Sequence, residues 1–384
     1  MKISRRNFLA VAGAAAAAAA LTACGGSSST ASSTSTASSA AGSTAASAAE
    51  GGEKIVKVAL TCDTGTIDDE SFNQSCWEAV TSYMGADCQY YLPPQEASDE
   101  DRETMIRTAV NEGADVIVCV GYLYGASLAW AADQYPNVKF IAVDVTKVDI
   151  GTDEIPANCY CITFKEEQAG YMAGYAITKD GKTKLGFLGG MAVPAVIRYG
   201  YGFVQGADAA AAELNKDIEI KYTYGGQFQG SPEITAKMEG WYQNGTEIVF
   251  ASGGGIYTSA LEAAKKTDGA KLIGVDVDQS YIDPAYFVTS AMKQLKNVTM
   301  TVLDALNSGS WETYGGKVTN FGLQEGEYVG LPTADSSWSF KTFTKDEYNA
   351  VLEGIRSGKI AVDNNSDSTV TPTVSAHTSV DYIG

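Results

Sequence analysis

Histidine is all but missing from this chain of 384 residues: His377, in a polar stretch near the C-terminus, is the only one. Chemistry that runs on an imidazole, whether a nucleophile–base triad or a histidine-bearing zinc centre, is therefore excluded. Cysteine is sparse, with seven in all. The six beyond Cys24, at positions 62, 76, 88, 119, 159 and 161, form no CxxC pair, so neither a zinc ribbon nor a dithiol redox motif is present. Cys119 lies in the apolar run Val116–Val120 and reads as a small core residue. Cys159 and Cys161 alternate along a strand and face the same way, a poor arrangement for bridging each other. Free thiols are expected, with no metal and no cofactor. Positive charge is in deficit: 27 Lys and Arg stand against 46 Asp and Glu, for a net charge of −19 without any basic cluster. That excludes nucleic acid as a partner. Neither GxxxxGK(S/T) nor a strand–GxGxxG–helix pattern occurs, which argues against a nucleotide-phosphate site.

At the N-terminus, Lys2, Arg5 and Arg6 precede Phe8–Leu21, an unbroken run of apolar and small residues. The run is too short and too alanine-rich for a membrane span and has the layout of a secretory signal. Its end, Leu21-Thr22-Ala23-Cys24, resembles the bacterial lipobox, in which the cysteine is acylated and becomes the new N-terminus. The plainer alternative makes Cys24 an ordinary residue near a cleavage site. Ser4-Arg5-Arg6-Asn7-Phe8-Leu9 resembles the twin-arginine export signal. Residues 1–24 are thus read as a lipoprotein signal peptide, and the protein is expected at the extracytoplasmic face of the cell membrane, held by lipid on Cys24. Signal removal leaves 24 basic against 46 acidic side chains, a net charge of about −22. Residues 25–52 are almost wholly Gly, Ser, Thr and Ala, with one charge at Glu50. Such a segment buries too little apolar surface to order itself, and it is expected to be a flexible linker with a mean reach of roughly 30 Å.

From Glu53 onward the pattern is α/β, and 332 residues exceed what one core usually holds, so two lobes are expected. Strand-type runs at Ile55–Thr61, Gln89–Leu92, Asp115–Val120, Lys139–Asp144 and Tyr160–Thr163, the third and fourth of buried type, alternate with helical spacing at Ser71–Tyr83, from Ser98, and at Ser127–Gln134. The rhythm restarts with helix Glu166–Thr178. Strands Lys184–Leu188, Glu219–Thr223, Glu247–Ala251 and Lys271–Val275 then alternate with helices Pro194–Leu214, Ser231–Gln243 and Thr258–Lys265. Two such runs predict two doubly wound parallel sheets. The last third is expected to carry a helix over Met292–Asn307, two or three weak strands and a helix near Lys345–Arg356.

Open parallel sheets bind ligands beyond the carboxyl ends of their strands. Four loops qualify: Asp63–Asn73, Gly121–Gly125, Ser252–Gly255 and Asp276–Gln279. In the first, Asp63 stands at a strand tip, and Asp68, Asp69 and Glu70 precede a helix whose dipole they can simply complement. Phe72 is either a site ring or a core ring. The Gly253–Gly255 run lets backbone amides approach a ligand, or merely makes the turn.

These same stretches carry a resemblance. Asp63–Gln74 with its Ser71-Phe72-Asn73 element, Val138–Asp144, Gly189–Pro194, and Ile273–Gln279 with Gly-Val-Asp-Val-Asp-Gln are similar to the basic membrane lipoprotein family, whose purine nucleoside receptors are lipid-anchored binding components of ABC importers. The resemblance runs from about residue 55 to 297, and more weakly to the C-terminus. It implies a type I periplasmic-binding-protein fold, two parallel-sheet lobes joined by a hinge. Lobe 1 is expected to comprise 53–164 plus about 290–315, and lobe 2 to comprise 165–289 plus about 316–384. It also implies a nucleoside ligand, purine favoured, and an ABC transporter permease as partner. Phe72 and Phe228 match the rings that sandwich the base, and Asp276 and Lys293 the residues that hold the ribose hydroxyls. Asp63 and Asn73 match positions near the base or the lobe contact, and Tyr122 and Gly254 complete the expected set. One departure stands out. Relatives often carry an acid in the loop after the third strand, where this chain has Ala126, so Tyr122, Tyr124 or Ser127 is left to read a different ligand. Two other readings stay open: a surface receptor for a sugar or autoinducer that feeds a sensor, and a nucleoside hydrolase using Asp276 and Asp278. The second is disfavoured because residues two apart on an extended strand point to opposite sides.

Overall fold

A computed structural model describes residues 57–383 apart from residue 95. The signal, Cys24 and the linker lie outside the described residues.

The first lobe grows from five strands, four of them buried and β2 at the exposed edge. These are β1 (Val58–Cys62), β2 (Cys88–Tyr91), β3 (Val116–Val120), β4 (Lys139–Val143) and β5 (Cys159–Phe164). Between them run α1 (Phe72–Met84), α2 (Asp99–Asn111), α3 (Gly125–Gln134) and the single turn α4 (Lys147–Ile150). Every residue of β1 and β3 is buried, which is why they read as continuous apolar runs and not as alternating strands. The start of α2 is written in the sequence: Ser98 and Asp101 form a reciprocal capping box.

The second lobe repeats the plan. Its strands are β6 (Lys184–Gly189), β7 (Ile218–Tyr224), β8 (Ile248–Ser252), β9 (Lys271–Asp276) and β10 (Phe287–Lys293), with helices α5 (Glu166–Lys179), α6 (Pro194–Leu214), α7 (Pro232–Gln243) and α8 (Tyr257–Ala264). Ser231 caps α7 and Pro232 occupies its first turn. The remainder is α9 (Leu295–Asn307), β11 (Lys317–Phe321), β12 (Val329–Gly330), α10 (Lys345–Arg356) and β13 (Thr378–Tyr382).

The sheets are ordered β11-β5-β4-β3-β1-β2 and β12-β10-β9-β8-β6-β7-β13. All pairings are parallel except that of β10 with β12. Apart from the added edge strands, both sheets share one order, in which the chain reverses direction between β1 and β3 and again between β6 and β8. At such a switch point diverging loops leave a crevice at the carboxyl edge. A central apolar cluster draws on both lobes, and a further cluster lies under the outer helices of each. All six described cysteines are free thiols, and burial pushes Cys119 and Cys161 up to about 12.

Two expectations need correction. Met292 and Lys293 are not helical; they close β10, which is buried along most of its length, and α9 begins only at Leu295. The apolar spacing of Leu295, Val298, Val302 and Leu306 extends back to Met292 in the sequence, which disguised the end of the strand. The lobe boundaries shift accordingly. Residues 290–293 complete the second sheet, α9 packs on α1 of the first lobe, and β11, assigned to lobe 2, pairs with β5 in the first sheet. The chain therefore crosses between lobes at Lys165, at Gln294 and between Phe321 and Val329. The crossings are knitted by Lys165 N donating to Phe321 O and Gln294 N donating to Tyr328 O, both at 2.9 Å.

Candidate functional site

The carboxyl ends of both sheets open on one cavity of about 290 Å³. All eight expected site residues line it: Asp63, Phe72, Asn73, Tyr122, Phe228, Gly254, Asp276 and Lys293.

On the first wall, Asp63 follows β1 and turns its carboxylate onto the backbone of the loop after β3, where Leu123 N donates to it at 3.1 Å. Gly121 makes this approach possible: its φ is +114°, and a Cβ there would fall 2.0 Å from the Asp63 carboxyl carbon. Burial pushes Asp63 up to about 7, against the pull of these amides and of Arg102. Asp69 accepts from the amides of Ser71, Asn73 and Gln74, each at 3.0 Å, and so caps α1. It is both a structural cap and a cavity-lining carboxyl, pushed up to about 6 by burial. Asp68 is exposed, and Glu70 turns aside to accept from the Tyr281 hydroxyl. Asn73 donates its amide to Thr64 O at 3.0 Å, leaving its Oδ1 buried without a partner.

On the opposite wall, Phe228 lies against backbone. A Cβ at Gly190 or Gly253 would come within 2.4 Å or 2.9 Å of the ring, so only glycine at these positions lets the ring settle there. Phe72 and Phe228 are each partly buried. Asp276, at the tip of β9 with φ +63°, accepts from Ser71 Oγ of the first lobe at 2.7 Å and from Tyr199 OH at 3.3 Å. Asp278 faces elsewhere, accepting from Ser280 N and Ser337 Oγ, so the two carboxylates do not form a pair.

The floor is a buried charge network. Lys293 Nζ sits 2.7 Å from Asp144, 3.2 Å from Glu166 and 3.9 Å from Asp276, and 4.7 Å above the centre of the Phe72 ring. Arg198 Nε meets Glu166 at 2.7 Å. Three carboxylates hold Lys293 firmly protonated despite burial. Burial wins at Asp144, which rises to about 6 although Lys293 is bonded to it. Its Oδ1 is buried without a partner. Both cations lining the cavity are thus already matched by carboxylates, and neither is free to bind phosphate.

Sequence reading missed Asp144, Glu166, Arg198, Tyr199 and Ser366. For Asp144 a signal was present: Lys139-Phe-Ile-Ala-Val-Asp144 mirrors Lys271-Leu-Ile-Gly-Val-Asp276, and both aspartates end equivalent strands with positive φ, +59° and +63°. The concern over Ala126 is corrected. Position 126 is exposed on α3 and does not line the cavity, because the loop after β3 winds into a 3-10 turn first. Tyr124 and Ser127 are buried away from it, donating to Cys62 O at 3.2 Å and Asp99 O at 3.3 Å. Among the described residues no cluster suits a metal ion, and no helix is long and apolar enough to cross a membrane.

Two like-ordered parallel sheets facing one cleft define a fold of the periplasmic-binding-protein type. A solute-binding protein of an ABC transporter system from Aeropyrum pernix K1 superposes with a TM-score of 0.70 at 20% identity, over 82% of this chain and 95% of that one. The family model for PnrA-like ABC transporter substrate-binding proteins, Bmp, matches residues 55–365, and the chain belongs to that family. Basic membrane protein A of Borreliella burgdorferi is 31% identical, over 83% of this chain and 90% of its own length. The ABC transporter nucleoside-binding protein BmpA of Lactococcus lactis is 27% identical, over 80% and 89% respectively. A twin-arginine translocation signal matches residues 2–22.

Proposed function

We propose that this protein is the lipid-anchored, extracytoplasmic receptor of an ABC importer and that it captures an uncharged nucleoside, preferably a purine, between its lobes. The observation that carries the reading is the pairing of two partly buried rings, Phe72 and Phe228, on opposite walls with two buried, unpartnered acceptors, Asn73 Oδ1 and Asp144 Oδ1, in one cavity. Rings stack on the flat faces of a base, and the acceptors take ligand N–H and O–H groups that they otherwise lack. The resemblance assigns the sugar hydroxyls to Asp276 and Lys293. Because Asp276 also accepts from Ser71, sugar binding and lobe contact share one carboxylate. A volume of about 290 Å³ lies at the small end of ligand pockets, roughly 300–1,000 Å³, and suits a single nucleoside. Matched cations and surplus carboxylates disfavour a nucleotide. The name of the Lactococcus lactis relative agrees with this ligand class. The reaction is binding and lobe closure, which needs only tighter binding to the closed form.

Calorimetry with purine and pyrimidine nucleosides, free bases and sugars tests the reading. Adenosine or guanosine is expected to bind the wild type. Phe72→Ala and Asp144→Asn should each weaken that binding by about tenfold or more, corresponding to a stacking contact or a buried hydrogen bond of roughly 1–3 kcal/mol. Tight binding of a sugar without its base would replace the nucleoside as ligand.

A further inference from the structure

The chain ends in a strap that reaches the cleft. Between α10 and β13 it runs without helix or strand and is pinned to one face of α6. Gln205 clasps residue 363 with both halves of its amide: Nε2 donates to Asp363 O and Oε1 accepts from Asp363 N, each at 2.9 Å. Tyr201 OH donates to Asp363 Oδ2 at 3.3 Å. Farther on, Asp208 Oδ1 accepts from Ser375 N at 2.9 Å and Ser375 Oγ at 2.7 Å. Tyr201, Gln205 and Asp208 recur at i, i+4 and i+7, so one stripe of α6 holds both ends of the strap. β13 then secures the rest by pairing with β7.

Residues 364–374, between the pins, are mostly exposed and carry Ser366 into the lining of the cavity. The tip is shaped locally: Thr369 N donates to Asp367 Oδ1 at 2.9 Å and Asn365 Nδ2 to Asp367 O at 2.8 Å. From the first lobe, Val148 and Asp149 of α4 line the same cavity, and Val148 is 80% exposed, which puts it on the rim. The family-matched span stops at residue 365, so the strap tip lies past it.

We propose that residues 364–374 form the outer lip of the ligand cleft and that Ser366 is a ligand-contacting, specificity-determining residue. Its hydroxyl meets the outward edge of the bound molecule. Asp367 beside it and Asp149 across the rim give the mouth a negative lip that discriminates against anionic ligands such as nucleoside monophosphates. The proposal rests on the nucleoside reading above.

The test uses the full-length protein, with adenosine, guanosine, cytidine and adenosine 5′-monophosphate as probes, measured by calorimetry and stopped-flow fluorescence. Ser366→Trp fills the mouth and should weaken nucleoside binding about tenfold or more. Gln205→Ala unpins the strap and should speed ligand release about fivefold or more. In both, the melting temperature without ligand should stay near wild type. Asp367→Asn should narrow the gap between adenosine and its monophosphate. Wild-type affinity and release in both Ser366→Trp and Gln205→Ala would overturn the lip. Failure of the wild type to bind any nucleoside is a distinct result that strikes the ligand reading itself and takes the lip with it.

Discussion

Asp63 and Asp69 stand six residues apart in one loop, yet burial gives them different work. Asp69 satisfies three amides at the start of α1, whereas Asp63 is pressed onto Gly121 and titrates near neutrality. A folded Asp63 keeps its proton up to about pH 7, while an unfolded aspartate loses it near pH 4. Across that window the native state binds more protons, so stability is greatest on the acid side and falls as pH rises through it. Asp69 and Asp144, raised to about 6, and Glu167, raised to about 7, act in the same direction. The ligand-free protein is therefore expected to melt higher at about pH 5 than at about pH 8, and Asp63→Asn should shrink that difference by at least about 1 kcal/mol. A variant that keeps the full wild-type difference would show that Asp63 ionises freely. Asp63 and Asp276 could be placed at the cleft from the sequence because residues at strand tips are fixed by chain pattern, whereas Phe72, at the start of α1, was matched only through the family resemblance. Arg198 and Tyr199 were not, because they enter the cleft from the first turns of α6, where nothing local separates them from the apolar residues around them.

The least visible element feature is the seam between α5 and α6. Both helices were expected from periodicity, but periodicity does not say how closely two helices approach. Here they touch backbone to backbone. A Cβ at Gly170 or Gly174 would fall 2.1 Å from Tyr199 O or Phe203 O, and one at Gly202 or Gly206 would fall 2.0 Å or 1.9 Å from Glu167 O or Tyr171 O. This contact brings Glu166 of α5 up to Arg198 of α6, and so sets the floor of the site. Gly202→Ala must part the helices. Denaturant unfolding should show a loss of about 1–3 kcal/mol, with ligand affinity falling in parallel. Unchanged stability would mean that the seam yields without strain. The misassigned end of β10 has the same root. Lys293 sits where a buried strand gives way to an amphipathic helix, and only pairing with β9 and β12 distinguishes the two.

At the scale of the molecule, three crossings between lobes and the Ser71–Asp276 contact join the two lobes around the cavity that Phe72 and Phe228 line, and the proposed function makes them a clamp. In the proposed import role, the tether that keeps the protein at the membrane is Cys24. With Cys24→Ser, fractionated cells should release the protein from membranes to the soluble fraction without any change in nucleoside affinity. Persistent membrane attachment would remove the lipid from the reading and leave the binding site untouched.

The α/β rhythm, the cap residues and the acids at strand tips are properties of chain order, and the sequence by itself determined them. Periodicity, glycine placement and side-chain type act over a few residues. Tertiary structure alone decided which lobe takes β10 and β11, that Ala126 stays outside the cleft, that Lys293 is ringed by Asp144, Glu166 and Asp276, and that a strap some 160 residues beyond α6 returns to its surface. Those outcomes depend on contacts between segments far apart in the chain, whose free energy comes from burial and pairing that no local pattern encodes.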